Sequence, residues 1–520
     1  MKGPGISSLA VYVPRLEVRL EDFCRWYGRD KRDVVARTGD AFRVRGPRED
    51  AYTMAASAVL RLLLYSDVDP ASVGMIAFGT ESSTDNSAGA VIVKGLVDMA
   101  LVQLGLRPLA VDCEVPELKQ ACLGGVYALK AAVRYVATDG CGRRAIAVAS
   151  DAAEYRRGTR AEPTQGAGAC AVLVEADARL ATVDLSSSGC AAQFRGADFR
   201  KPLRRFSDER FQSGRIGFKD FPVVNGPYTA QCYLSSVLRA FRSMLSRARK
   251  DPLALLNEVS SVFVHRPYSS LPETALCLLY LFAMRLERWP LFCDTCLAAG
   301  IDPERVVAEM DEDSWPPLPG SGCAAWEATL SVVRVWKRTR EFQGILQQKM
   351  SLGSAAMRKI GNLYSASLPV WIAAGLDEAG FRGIDLTGKS LLAVGYGSGD
   401  AAEAMLLHVV KGWEAAASRI KSVEALADPV DLTREQYEAL HEGQDISGLG
   451  RAAFEIDRVG TALDSAFDDL GVEWYRFDPE AWTGYPNTAL PTGRPAANPK
   501  WAQKESNLQP ADQETVDPPR

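Results

Sequence analysis

"KQACLGGVYALKAAVRYVA", residues Lys119–Ala137, decides how the chain is read. Val126, Leu129, Val133 and Val136 recur at spacings of three and four with alanines between them, the period of an α-helix that is apolar almost all round. Such a helix belongs in the middle of a domain. On this reading Cys122 falls in the first turn, where unpaired backbone N–H groups and the helix dipole favour a thiolate. Gly124 and Gly125 carry no side chain and let another group approach the backbone closely. Two readings of Cys122 stand side by side: an inert buried thiol, the common fate of free cysteine, or a nucleophile held at a helix start.

Short apolar runs lie on both sides of this helix. "VGMIAFGT" (Val73–Thr80), "RRAIAVASD" (Arg143–Asp151) and "GACAVLVE" (Gly168–Glu175) read as buried strands. Further on, "EVSSVFVHRPY" (Glu258–Tyr268) and "KSLLAVGYGSG" (Lys389–Gly399) repeat the theme around a long helical region. Strands alternating with helices imply an α/β fold, and two parts of similar order imply an internal duplication. We divide the chain into a first half over 1–180, a second half over 181–480 and a disordered tail over 481–520 that is rich in Pro, Asn, Gln and charge. The stretch 287–345, broken by "DEDSWPPLPGSG" (Asp311–Gly322), reads as a helical insertion packed on the surface.

Composition narrows the function. Of 520 residues 47% are hydrophobic and 24% charged, as in ordinary globular proteins. A net charge of −5 points away from nucleic acid and anionic membranes. The most apolar run, Leu271–Met284, is too short to span a bilayer, and the N-terminus has no signal-peptide pattern, so a cytoplasmic place is expected. Eleven cysteines without a framework fit a reducing compartment. Cys293 and Cys296 form a lone C-x-x-C without the further ligands that zinc needs.

Histidine is scarce. His408 lies in "AMLLHVVKGW", read as helical, and His441 in the charged "YEALHEGQD", read as a solvated helix. His265 ends the strand "SSVFVHRPY", and strand ends are where α/β sheets place active sites. A structural histidine there is equally common. Glu81 follows another apolar strand, where a carboxylate is exposed, paired or functional. "VGYGSGD" (Val394–Asp400) fails the G-x-G-x-x-G pattern and reads as a tight strand-to-helix turn that lets a ligand approach. The basic run Arg239–Lys250 reads as a solvated helix face.

"GTESSTDNSAG", "KQACLGG", "SDAAEY", "EPTQGAGACAVLV", "ADFRKP", "VHRPY", "GNLYSAS" and "GYGSG" follow one another in that order. Together they resemble the 3-hydroxy-3-methylglutaryl-CoA synthase family of the thiolase superfamily, over roughly residues 5–480. The resemblance implies a duplicated α-β-α-β-α layered sandwich and, commonly, a homodimer. It implies Glu81, Cys122 and His265 as catalytic residues. Asn362, Ser398, Tyr155, Thr164, Asp198 and Tyr364 would bind substrate. The implied reaction condenses acetyl-CoA with acetoacetyl-CoA through an acetyl-cysteine, without metal or redox cofactor, as in mevalonate and isoprenoid synthesis.

The sequence departs from the family at one place. The lysine that commonly follows H-x-P-aromatic, placed for CoA phosphates, is absent from "YSSLPETAL". Either Arg266, Arg239 or a residue of the 287–345 stretch replaces it, or the acceptor arrives on an acyl carrier protein, as in relatives that install β-branches on polyketides. A ketoacyl synthase III-like enzyme would pair Cys122 with H-Q-A-N rather than "HRPY" and would not need Glu81. A non-catalytic scaffold would not need all three groups.

Overall fold

The structure, a computed structural model, describes residues 3–85, 87–195, 198, 221–222, 224–311, 326–462, 468–482 and 484. The tail beyond 484 and the whole of 312–325 lie outside these.

Nine strands make one sheet. They are β1 (Gly5–Tyr12), β2 (Val73–Gly79), β3 (Glu117–Leu118), β4 (Arg144–Ala153), β5 (Gly166–Glu175), β6 (Ala181–Ala192), β7 (Ser261–Val264), β8 (Ser390–Gly397) and β9 (Ala401–Val409). Their order is β3-β2-β4-β5-β1-β6-β9-β8-β7. β2 runs parallel to β4, and β7 parallel to β8. The β4–β5–β1 set is antiparallel, as is β8–β9–β6. The same motif is therefore drawn twice. The copies meet between β1 and β6, where only Gly5↔Thr182 and Ile6↔Ala181 pair.

Four helices layer on this sheet: α1 (Ala51–Tyr65), α2 (Gly124–Ala137), α3 (Gly226–Ala248) and α4 (Ser367–Phe381). α1 is started by a capping box between Asp50 and Thr53. The alternation along β4 sorts the layers. Ile146 and Val148 pack with α1, whereas Ala145, Ala147 and Ala149 face the cluster of α2. Small residues on that inner face let α2 and α4 sit close to the sheet and to each other, giving the buried middle layer. This is the duplicated α/β sandwich expected from the strand order.

Three local readings change. His408 lies on β9, not on a helix; a strand buried on both faces reads as a continuous apolar run, which periodicity does not separate from a helix. For the same reason "GYGSGD" is the hairpin between β8 and β9, not a strand-to-helix turn. The described part of 287–345 is helical (Trp289–Ala298, Pro303–Asp311, Glu327–Trp336), but it is no surface ornament. Phe292, Val306, Val332 and Trp336 join the main core. They cover helix Ser270–Glu287, which is apolar all round and needs partners on every side.

A satellite sheet of Leu16–Arg19, Ala41–Val44 and Val430–Asp431 packs with helices Leu20–Tyr27 and Arg434–His441 around Phe23, Phe42 and Tyr437. No described helix is long and apolar enough to cross a membrane.

Candidate active site

Glu81, His265 and Ser398 each follow the C-terminal end of a strand: β2, β7 and β8 respectively. Cys122 comes from the loop into α2. Leu123 is the N-cap, so Cys122 stands one residue before it rather than in the first turn. The thiol therefore lies just ahead of the helix N-terminus. Gly124 and Gly125 explain how the loop is seated. A Cβ on Gly124 would stand 2.9 Å from the Leu118 carbonyl, and one on Gly125 would stand 2.4 Å from the Ser365 carbonyl. The glycines serve close backbone packing beneath the thiol.

The thiol of Cys122 donates to Glu81 Oε2 at 3.3 Å. Cys122 is buried and Glu81 half-buried. The loop carrying Glu81 is held by Asp151, a wholly buried carboxylate near the end of β4. Its Oδ1 accepts from the Thr80 hydroxyl (2.9 Å), the Glu81 N–H (2.8 Å), the Ser82 N–H (2.8 Å) and the Ser82 hydroxyl (2.6 Å). Its Oδ2 accepts from the Ser365 N–H (2.9 Å) and the Ser365 hydroxyl. One charge thus joins the Glu81 loop to "GNLYSAS". A buried carboxylate is tolerated only when it is hydrogen-bonded this fully.

The wall around the thiol is aromatic. Cys122, Ala153, Tyr155 and Tyr364 form one buried cluster. The Tyr155 and Tyr364 rings meet edge to face, centroids 6.2 Å apart. Asn362 Nδ2 donates to the Tyr155 hydroxyl at 3.1 Å, and its Oδ1 accepts from the Tyr364 N–H at 2.9 Å. Burial raises both phenols above their ordinary pKa, so they stay protonated. Thr164 is half-buried, and its carbonyl accepts from the Asn362 N–H at 3.0 Å. It enters through its backbone; its hydroxyl turns back to the Ala161 carbonyl at 2.7 Å.

His265 is buried, and among the described residues neither ring nitrogen has a hydrogen-bond partner. Burial lowers its pKa to about 3, so the ring is neutral. It sits 6.4 Å from the Tyr396 ring. The neighbouring Gly397 lies against the Cys122 loop, where a Cβ would stand 2.1 Å from the Gln120 carbonyl. Ser398 is half-exposed in the hairpin beside it. Asp198 lies beneath that hairpin, not in the Cys122 cluster. The Tyr396 hydroxyl donates to its Oδ2 at 2.7 Å, and burial with the nearby Asp400 lifts its pKa to about 7. Among the described residues only Asp198, Cys232 and Asp400 approach closely enough to share a cation. Arg195 already stands 2.8 Å from Asp400 and supplies the positive charge.

The candidate replacements for the lysine resolve differently. Arg266 is buried against the Met357 carbonyl and Ser269, and burial lowers its pKa to about 9. Arg239 bonds Gln193, and Arg247 the Ser188 carbonyl, while Arg247, Arg249 and Lys250 are exposed, so the run keeps its solvated face and is also tied to the sheet. Lys337, from the 287–345 stretch, reaches the Ser270 carbonyl at 3.0 Å and Glu273 at 2.8 Å. His441 is also misjudged by its charged surroundings. It is buried, with Nε2 2.8 Å from the Tyr155 carbonyl. Asp151, Ser365 and His441 escape the sequence reading. Asp151 carried the same signal as Glu81, an acid following an apolar strand.

Residues 1–179 match the family model described as hydroxymethylglutaryl-coenzyme A synthase N terminal. Over 398 residues the chain is 27% identical to the hydroxymethylglutaryl-CoA synthase of Haloferax volcanii, covering 76% of this chain and 80% of that protein. It is 26% identical over 438 residues to the rat protein named hydroxymethylglutaryl-CoA synthase, cytoplasmic, covering 82% and 76% respectively. The solved structure of MvaS in complex with 3-hydroxy-3-methylglutaryl coenzyme A superposes with a TM-score of 0.70 at 25% identity, over 92% of this chain and 99% of that one.

Proposed function

We propose, from its likeness to the hydroxymethylglutaryl-CoA synthases, that the chain is a member of that family and that its own residues run the condensation of acetyl-CoA with acetoacetyl-CoA. Cys122 Sγ attacks the acetyl thioester and CoA leaves as the thiol, taking the proton that Cys122 gives up. Exchange of one thioester for another is nearly isoenergetic, so the acetyl-enzyme is a natural intermediate. Glu81 then removes a proton from the acetyl methyl. The carbanion attacks the ketone carbon of acetoacetyl-CoA and forms the new carbon–carbon bond. A neutral His265 donates an N–H to that ketone oxygen, stabilises the alkoxide as it develops and passes it the proton. The imidazole is then reprotonated, and Glu81 gives up its proton, by exchange with solvent water. Water cleaves the Cys122 thioester, releasing 3-hydroxy-3-methylglutaryl-CoA and the free thiol. Asn362, Tyr155 and Tyr364 shape the acyl pocket, and Ser398 and Thr164 border it.

The contact that carries this reading is the Cys122–Glu81 hydrogen bond of 3.3 Å. It supports Glu81 as the base for an acetyl group carried on Sγ. We take the acceptor to be the free CoA ester rather than a carrier protein, in keeping with the CoA-named relatives and the CoA-bound structure that the chain resembles. We also propose a cytoplasmic homodimer serving isoprenoid precursor synthesis. The test is incubation with labelled acetyl-CoA and mass analysis of the Cys122 peptide. One acetyl group on Cys122 is expected, and none anywhere in Cys122→Ala, which also makes no product. Stoichiometric labelling of the alanine variant at another cysteine would defeat the assignment.

A further inference from the structure

Helix Arg434–His441 turns one face toward the loop of Tyr155. Tyr437 and His441 are four positions apart, so their rings lie one above the other, centroids 5.8 Å apart. His441 Nε2 is 2.8 Å from the Tyr155 carbonyl. A carbonyl only accepts, so this nitrogen carries the hydrogen. On the other side of the same residue, the Tyr155 N–H donates to Gln165 Oε1 at 2.9 Å. Gln165 Nε2 donates to the Tyr437 hydroxyl at 2.8 Å, which donates in turn to the buried Glu162 at 2.9 Å. Both backbone polar groups of Tyr155 are therefore gripped from one helix face, directly by His441 and through Gln165 by Tyr437. The helix is itself fixed by a capping box between Thr433 and Gln436, and by Tyr437 packing on Phe23 and Phe42.

We propose that His441 is a positioning residue for the condensation. Through the Tyr155 carbonyl it sets where the Tyr155 ring stands against Cys122 and Asn362. The inference rests on the reading of Cys122 as the acyl carrier given above. A helix 286 residues along the chain from Tyr155 thus reaches in from the satellite domain to fix the acyl pocket. The rival explanation is packing, because the imidazole also stacks on Phe221 at 5.3 Å and 14°.

Two substitutions separate hydrogen bond from packing. His441→Gln keeps a side-chain N–H donor and loses the ring; His441→Phe keeps the ring and loses the donor. If the hydrogen bond positions Tyr155, the phenylalanine variant loses about tenfold or more in kcat at nearly unchanged KM, while the glutamine variant stays within about threefold of wild type. In a Tyr155→Ala background the phenylalanine substitution has no further effect, since the ring it acted on is gone. Equal activities, the reverse order, or an undiminished loss in that background would overturn the inference. Failure of the wild type to acetylate Cys122 would instead sink the functional reading. The rate of Cys122 alkylation by iodoacetamide needs no acyl substrate and still compares the two variants: a difference between them supports the positioning role, and equal rates count against it.

Discussion

Cys122 and Ser365 occupy the same place in the two copies of the duplicated fold. Each is preceded by a non-glycine residue in the left-handed region, Ala121 (φ 48°) and Tyr364 (φ 44°), three positions ahead of α2 and α4 respectively. Such backbones cost about 1–3 kcal/mol each and persist where the surroundings dictate them. From these matched positions the side chains go different ways. Cys122 points its thiol at Glu81, whereas Ser365 gives its hydroxyl to Asp151 and the Gly79 carbonyl. The strand ends differ likewise: Glu81 sits in a loop stitched to Asp151, and His265 presents an imidazole that no described residue pairs. The fold supplies each position twice, and on the proposed mechanism the side chain decides whether the position reacts or holds. The copy with Glu81 and Cys122 is fixed by the serine of the other copy.

The largest expected effect breaks the reacting side alone. Glu81→Ala removes the proposed base without touching the backbone N–H that Asp151 holds. Condensation should fall by about 10²–10⁴, the range for a positioned general base, while acetylation of Cys122 stays within about tenfold of wild type. Single-turnover labelling against steady-state product formation checks this. If both fall by the same factor, Glu81 holds the loop rather than moves a proton.

Next in size is the holding side. Asp151→Asn replaces one acceptor oxygen by an NH₂ that faces the N–H and O–H donors now satisfied by the carboxylate. The Glu81 loop and "GNLYSAS" then lose their shared anchor, and displacement of this kind costs about a hundredfold. Here acetylation and condensation should fall together, unlike in Glu81→Ala, and thermal unfolding should come earlier. A variant that acetylates normally but does not condense would move Asp151 from the holding to the reacting side.

That division also marks what the sequence makes legible. The Cys122 helix and strands β2, β4, β5, β7 and β8 are readable because their apolar runs are bounded by glycines and charges. Glu81 and His265 are readable as polar groups at strand ends. β9 was not, since burial on both faces erases the period-2 signal that would separate it from a helix. Holding residues are hidden for another reason: their partners are distant in sequence. Asp151 and Ser365 are 214 positions apart and His441 and Tyr155 are 286, and no local pattern records such a pairing. Charge around His441 suggested solvent, whereas the helix buries Tyr437, Leu440 and His441 on one face. Arg266 looked like a CoA contact because it follows the histidine, but its guanidinium turns inward.

The smallest effect concerns the unpaired imidazole and is read through pH. Burial lowers the His265 pKa from 6.5 to about 3. In the unfolded chain the ring takes up a proton below about pH 6.5; in the folded chain it does not until about pH 3. The folded state is therefore progressively disfavoured as pH falls through that window, and the loss is absent above it. Between pH 7 and pH 5 the effect amounts to about 2 kcal/mol. His265→Gln removes the titrating group, so its unfolding free energy should fall less over that interval than the wild type's, by about this amount. Denaturant titrations of both proteins at the two pH values measure it. The same neutrality means that kcat/KM of the wild type shows no inflection from His265 between pH 5 and pH 8. Identical pH dependence of stability in the two proteins would show that the imidazole finds a hydrogen-bond partner in the folded chain, and the contrast with the stitched Glu81 side would disappear.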